Sequence, residues 1–101
     1  MTSDDVEKLI ETEVGDKVVT SNLHGINLTE CLVKPFRQKY INALDNSQTF
    51  NLWTVLIESE DGYRIFYDEE KNIFGLATKS QKNDLMYLGC YGTFLETLAG
   101  M

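Results

Sequence analysis

His24, Cys31 and Cys90 are the side chains whose chemistry is easiest to name. A thiol beside an imidazole makes a nucleophile–base pair, and His24 is the only histidine in the chain. It stands in the turn-like stretch S-N-L-H-G-I, and no spacing ties it to either cysteine. Cys90 lies in an apolar run, where a free cysteine behaves as a small buried hydrophobe. His24 therefore reads as a structural or capping residue. One histidine cannot make a His-rich metal site. Asp68, Glu69 and Glu70 bring three carboxylates together, but D-E-E-K-N lacks the alternating ligands and the glycine of a calcium loop, so a solvated turn is expected. The chain has no Walker loop, no G-x-G-x-x-G, no G-x-S-x-G and no C-x-x-C. The expectation is a protein that is not an enzyme, with no catalytic residue, no metal and no cofactor.

Binding is the chemistry that remains. Tyr63, Tyr67, Tyr87 and Tyr91, with Trp53, can line a pocket or an interface. Strands favour the same residues, so core packing competes with that reading. Charge is the second feature. The net charge is −7. Residues 1–16 carry six acids against Lys8, and residues 58–70 carry six acids against Arg64. Phosphate backbones need clustered Lys and Arg, so nucleic acid is excluded as a partner. A basic protein partner fits the acidic blocks, although acids also serve simply to keep a domain in solution.

The elements that position these residues centre on Phe50 to Ser59, ten residues without Gly or Pro and dense in aromatic and branched side chains. Asp61-Gly62 follows, then the apolar run Y-R-I-F-Y-D, a strong hairpin signal. Four runs, 50–60, 63–68, 73–79 and 84–91, are joined by short polar connections that suit an antiparallel meander. With Asp61 and Gly62 as the two turn residues, Glu60 faces Tyr63, Glu58 faces Ile65 and Leu56 faces Tyr67. One face then holds Leu52, Leu56, Ile65, Tyr67, Phe74 and Leu76. The other holds Trp53, Val55, Ile57, Phe66, Gly75 and Ala77. Both faces are apolar, so both must be covered by chain or by a partner. Gly75, Gly89 and Gly92 mark bulges or close approaches of another backbone.

Before this run, Val6, Leu9, Ile10 and Glu13 predict a helix over 4–13, capped by Ser3 or Asp4 and stopped at Gly15. Lys17 to Leu23 is a strand or a loop, and Asn27 to Leu32 a helical turn. Pro35 argues for an extended segment over 33–42, against a competing helix over 29–44 kinked at the proline. Asp45 to Gln48 is a turn cluster. At the far end Thr93 and Glu96 form the T-x-x-E spacing of a capping box, with a short helix after it that Gly100 ends.

The chain thus reads as a single domain over 1–101 of the α+β class, an antiparallel β-meander of four to five strands with a short helix at each end. No apolar run approaches the ~18 residues of a membrane span. M-T-S-D-D-V-E-K has no basic, apolar export leader. A cytoplasmic protein with Cys31 and Cys90 reduced is expected. The expected function is a small acidic protein-binding module, such as an immunity or inhibitor protein neutralising a cationic toxin, for instance a nuclease. Glu58, Glu60, Asp61 and Tyr63 form its binding end. The alternatives are a small-ligand-binding protein or small enzyme with a pocket between sheet and helix, and a homodimer that self-associates through one sheet face.

Overall fold

The computed structural model describes residues 1–14, 31–45, 47–58, 62–80 and 84–99. Helix α1 (Ser3–Val14) is followed by β1 (Leu32–Asn42), β2 (Thr49–Ile57), β3 (Tyr63–Asp68), β4 (Ile73–Lys79), β5 (Leu85–Gly92) and helix α2 (Phe94–Ala99). The antiparallel meander and the helix at each end are those expected; the strands number five, the upper end of four to five, and the fold is mostly β with two short helices rather than an even α+β mixture. His24, Glu60, Asp61, the segment over 17–23, most of the turn over 27–32, and the stops at Gly15 and Gly100 lie outside the described residues. No described helix is long and apolar enough to cross a membrane.

The sheet closes into a barrel in the order β1-β2-β3-β4-β5, with β5 returning to β1. Consecutive strands of a meander alternate in direction, so with five of them the first and last run the same way. The closing pair is accordingly parallel, and it is short: Ile41 beside Met86 and Asn42 beside Tyr87. Curvature comes from register shifts in three of the four hairpin ladders, because a bulge bends its strand and raises the local twist. Pro35 sits in the register shift between Leu32 and Phe36, where the ladder is already interrupted and its missing N–H costs little. The kinked-helix alternative over 29–44 is thereby replaced by strand.

The two-residue turn at Asp61-Gly62 is corrected. Glu58 N donates to Tyr63 O at 3.0 Å, so four residues, not two, lie between this bonded pair. Leu56 faces Ile65, and Ile57 faces Arg64. A further shift between Thr54 and Leu56 exchanges faces along β2. Leu52 joins Phe66 and Ala77, while Trp53 and Val55 join Ile65, Tyr67, Phe74 and Leu76.

Two cores result. The first packs Trp53, Val55, Leu56, Ile65, Tyr67, Phe74 and Leu76 under Val6 and Ile10 of α1 and Phe94 and Leu98 of α2. The second draws on all five strands and fills the barrel: Tyr40, Leu52, Phe66 and Ala77, with Phe50, Leu85, Tyr87 and Cys90 against them. Its rings touch in sequence, Tyr40 to Phe66 at 5.6 Å, Phe66 to Tyr87 at 5.1 Å and Tyr87 to Phe50 at 4.7 Å between centroids. Both apolar faces are thus covered by the chain itself, one by closure and one by helices.

The helix ends are held by side chains. Thr2 caps α1, in place of the expected Ser3 or Asp4: its hydroxyl accepts from Asp5 N at 3.3 Å, and Asp5 Oδ2 accepts from Thr2 N at 2.8 Å. That backbone bond is the main reason the Asp5 carboxyl lies below the ordinary range. At α2 the capping box forms as expected. Glu96 N donates to Thr93 Oγ1 at 3.2 Å and Thr93 N to Glu96 Oε1 at 3.3 Å. Glu13, from the end of α1, adds a second cap by accepting from Phe94 N at 3.0 Å and from Leu95 N.

Candidate functional site

The expected binding residues divide. Glu58 and Tyr63 stand together at one end of the barrel, where Glu58 Oε2 accepts from Tyr63 N at 3.0 Å. Tyr63 is 41 % exposed. Asp68, Glu69 and Glu70 fall at the opposite end of β3, as the hairpin order requires. There Asp68 and Glu69 are used structurally, and Glu70 is exposed. Asp68 is buried, and its Oδ1 accepts from Glu70 N at 3.0 Å and Lys71 N at 3.4 Å. Glu69 pairs with Arg37 and with the N-terminal ammonium group. No cluster of three or more His, Cys, Asp or Glu suited to a metal exists among the described residues.

The two cysteines form no disulfide and pack against different cores. Cys31 lies against the helix-covered core, with Sγ 3.9 Å from Glu58 O. Cys90 lies against the barrel interior, with Sγ 3.0 Å from Tyr87 OH. Trp53 and Tyr67 are core residues, Tyr87 is half-buried, and Tyr63 and Tyr91 are exposed.

The most distinctive chemistry lies where the sequence reading had not placed it. Tyr40, Thr54, Gln38 and Arg64 form a polar chain inside the barrel. Tyr40 OH contacts Thr54 Oγ1, Thr54 Oγ1 donates to Gln38 Oε1 at 2.6 Å, and Arg64 Nη1 reaches the same Oε1 at 3.5 Å. Strand positions explain the assembly. Gln38 and Tyr40 are two apart on β1, and Gln38 and Leu52 are ladder partners, which sets Thr54 close by. Arg64 shares a face with Phe66 on β3 and stands opposite Ala77. The chain ends in a cleft of about 670 Å3 lined by Gln38, Lys39, Ile41, Arg64, Lys79, Asp84 and Leu85. This cleft is the barrel mouth, where β3 begins, β4 ends and β5 begins. Its four ionisable lining residues are three bases and one acid, in a chain of net charge −7. The local sequence signal was weak: Arg64 reads there as one base in an acidic block, and Gln38 carries no motif.

The enclosure affects the tyrosines. Burial pushes the Tyr40 phenol up, partly offset by its bond to Thr54 and the Arg64 charge. Burial and then Glu69 and Asp68 raise Tyr67. Burial and then the bond to Cys90 push Tyr87 up to about 12. A raised phenol pKa means that the folded state holds its proton longer than the unfolded state does. The contribution is therefore whole below about pH 10, the unfolded value, and is lost as pH rises towards the folded values. Urea midpoints should fall across that alkaline window. Tyrosinate absorbance from Tyr40, Tyr67 and Tyr87 should appear together with unfolding. Smooth ionisation of all tyrosines near pH 10, with the fold intact, would contradict the buried placement.

Against known protein families, curated proteins and solved structures, this chain has no match.

Proposed function

We propose that this protein is a binding protein rather than an enzyme, and that it takes a small polar molecule in the mouth of its barrel. The observation that carries the reading is the chain Tyr40–Thr54–Gln38–Arg64, which runs through an otherwise apolar interior and ends in a cleft. A barrel filled only for stability favours apolar side chains, because buried polar networks are costly unless every member is satisfied. The cleft volume of about 670 Å3 lies within the ~300–1,000 Å3 of small-molecule sites. In this reading the pocket is at the barrel end, not between sheet and helix. A cytoplasmic location with reduced thiols belongs to the same proposal.

Titration of a metabolite panel of mixed charge into isotope-labelled protein tests it. Amide shifts should concentrate at residues 38–41, 64, 79, 84 and 85, and Gln38→Leu should remove them. Shifts confined to other surfaces, or none with any compound, would overturn the reading.

A second reading rests on a different observation, the exposed Tyr63 beside Glu58 at this same end. There the protein is an acidic module of the immunity or inhibitor type. Glu58, Glu60 and Asp61 steer a basic partner, and Tyr63 anchors it.

A further inference from the structure

We infer that the barrel mouth is an anion site, in which Arg64 grips the carboxylate or phosphate group of a small molecule. The inference rests on the small-ligand reading above and names the ligand's chemistry. Arg64 is only 7 % exposed. Its Nε is buried without a hydrogen-bond partner among the described residues. Its one described hydrogen bond is the long contact of Nη1 to Gln38 at 3.5 Å, and none of the described ion pairs includes it. A buried guanidinium is costly unless an opposite charge and hydrogen bonds offset its lost hydration. The chain holds sixteen acids to nine bases, so carboxylates are plentiful, yet none of the described ones pairs with this buried base.

The surrounding groups fit an incoming anion. Arginine only donates, so the Gln38 atom that Arg64 meets must be the amide oxygen, which also accepts from Thr54 at 2.6 Å. The Gln38 oxygen is thereby committed, and its amide nitrogen remains as a donor in a residue that lines the cleft. With Nη1 turned to Gln38, the Nε–Nη2 edge of Arg64 is the part with no described hydrogen bond, its Nε buried in the wall of the cleft. That planar edge matches two oxygens of a carboxylate or phosphate in a bidentate pair. Lys39 and Lys79 add positive charge to the lining, and Asp84 is its one acid. The site holds donors and cations for one oxyanion, while a cleft of about 670 Å3 leaves room for the body of the molecule that carries it.

The test uses the full chain, with inorganic phosphate, acetate and, at matched ionic strength, chloride as probes. The Arg64 Nε–Hε resonance and the amides of residues 38–41 should shift and saturate with phosphate or acetate, and not with chloride. The tighter of the two identifies the preferred headgroup. Arg64→Lys, which keeps the charge and loses the fork, should weaken binding at least tenfold. Arg64→Met should abolish saturation while keeping or raising the thermal midpoint, since an apolar replacement of similar volume relieves an unpaired buried charge. A large fall in that midpoint would make Arg64 a structural residue satisfied by the chain itself, and would overturn the inference. So would linear, unsaturating shifts that persist in Arg64→Met. Shifts at the mouth with neutral compounds but with neither anion would defeat this inference and leave the small-ligand reading standing. No shift at the mouth with any compound would defeat both.

Discussion

Gly75→Ala is expected to lower folding stability by about 3 kcal/mol, the upper part of the range for forcing extra volume into a packed core. A Cβ added at Gly75 would lie 2.3 Å from Gly89 O and 2.4 Å from Phe66 Cζ. One obstacle is backbone of the neighbouring strand. The other is a ring fully buried between Tyr40 and Tyr87. Neither can yield locally, because β4 and β5 are bound into a closed barrel and Phe66 is held between Tyr40, tilted against it, and Tyr87, stacked on it. Gly89→Ala is the control. It sits on the facing strand, and a Cβ there meets nothing within 4 Å, so it should be neutral or gain up to about 0.5–1 kcal/mol from lower unfolded-state entropy. Urea unfolding of both variants measures the difference. Equal midpoints would mean that β4 and β5 do not approach as closely as described.

Glu13→Ala is expected to cost about 2 kcal/mol, the typical loss for hydrogen bonds to a charged group. Its carboxylate caps α2 from a distance of more than eighty residues along the chain, holding Phe94 N and Leu95 N. Helix α2 has six residues, too few to stand without tertiary support, and its Phe94 and Leu98 close the helix-covered core. Thr93→Ala removes the local cap and should cost about 1 kcal/mol. The two side chains serve different N–H groups of one short helix, so the double variant should lose less than the sum if either change alone already frays α2. Urea midpoints of the three variants decide this. A Glu13→Ala protein within about 0.5 kcal/mol of the parent, the ordinary range for surface changes, would show that the interhelical cap contributes little.

The elements themselves were legible because their causes are local. Alternating branched and aromatic residues, short polar connections and the T-x-x-E spacing act over a few residues. Strands β1 to β5, α1 and the α2 capping box stand where those signals put them. Pro35 correctly argued against helix, since the ring forbids the hydrogen bond that a helix needs at that point. The path across the sheet was not legible. A shift between Thr54 and Leu56 exchanges Leu52 with Trp53 and Val55, and nothing in F-N-L-W-T-V-L-I announces it, because both faces are apolar and either register buries well. Closure was equally hidden. Strand β5 meets β1 through only two described residue pairs, and β4 and β5 lie so close that Gly75 leaves the space taken by Phe66 and Gly89 O. The candidate site follows from that closure: Gln38, Tyr40, Thr54 and Arg64 come from three strands and lie up to 26 residues apart. Sequence alone determined an antiparallel meander of four to five strands with helical ends. Only the tertiary structure decided that Arg64 is buried at a barrel mouth rather than solvated in an acidic block, because burial is set by which strands meet and not by any residue's neighbours in the chain.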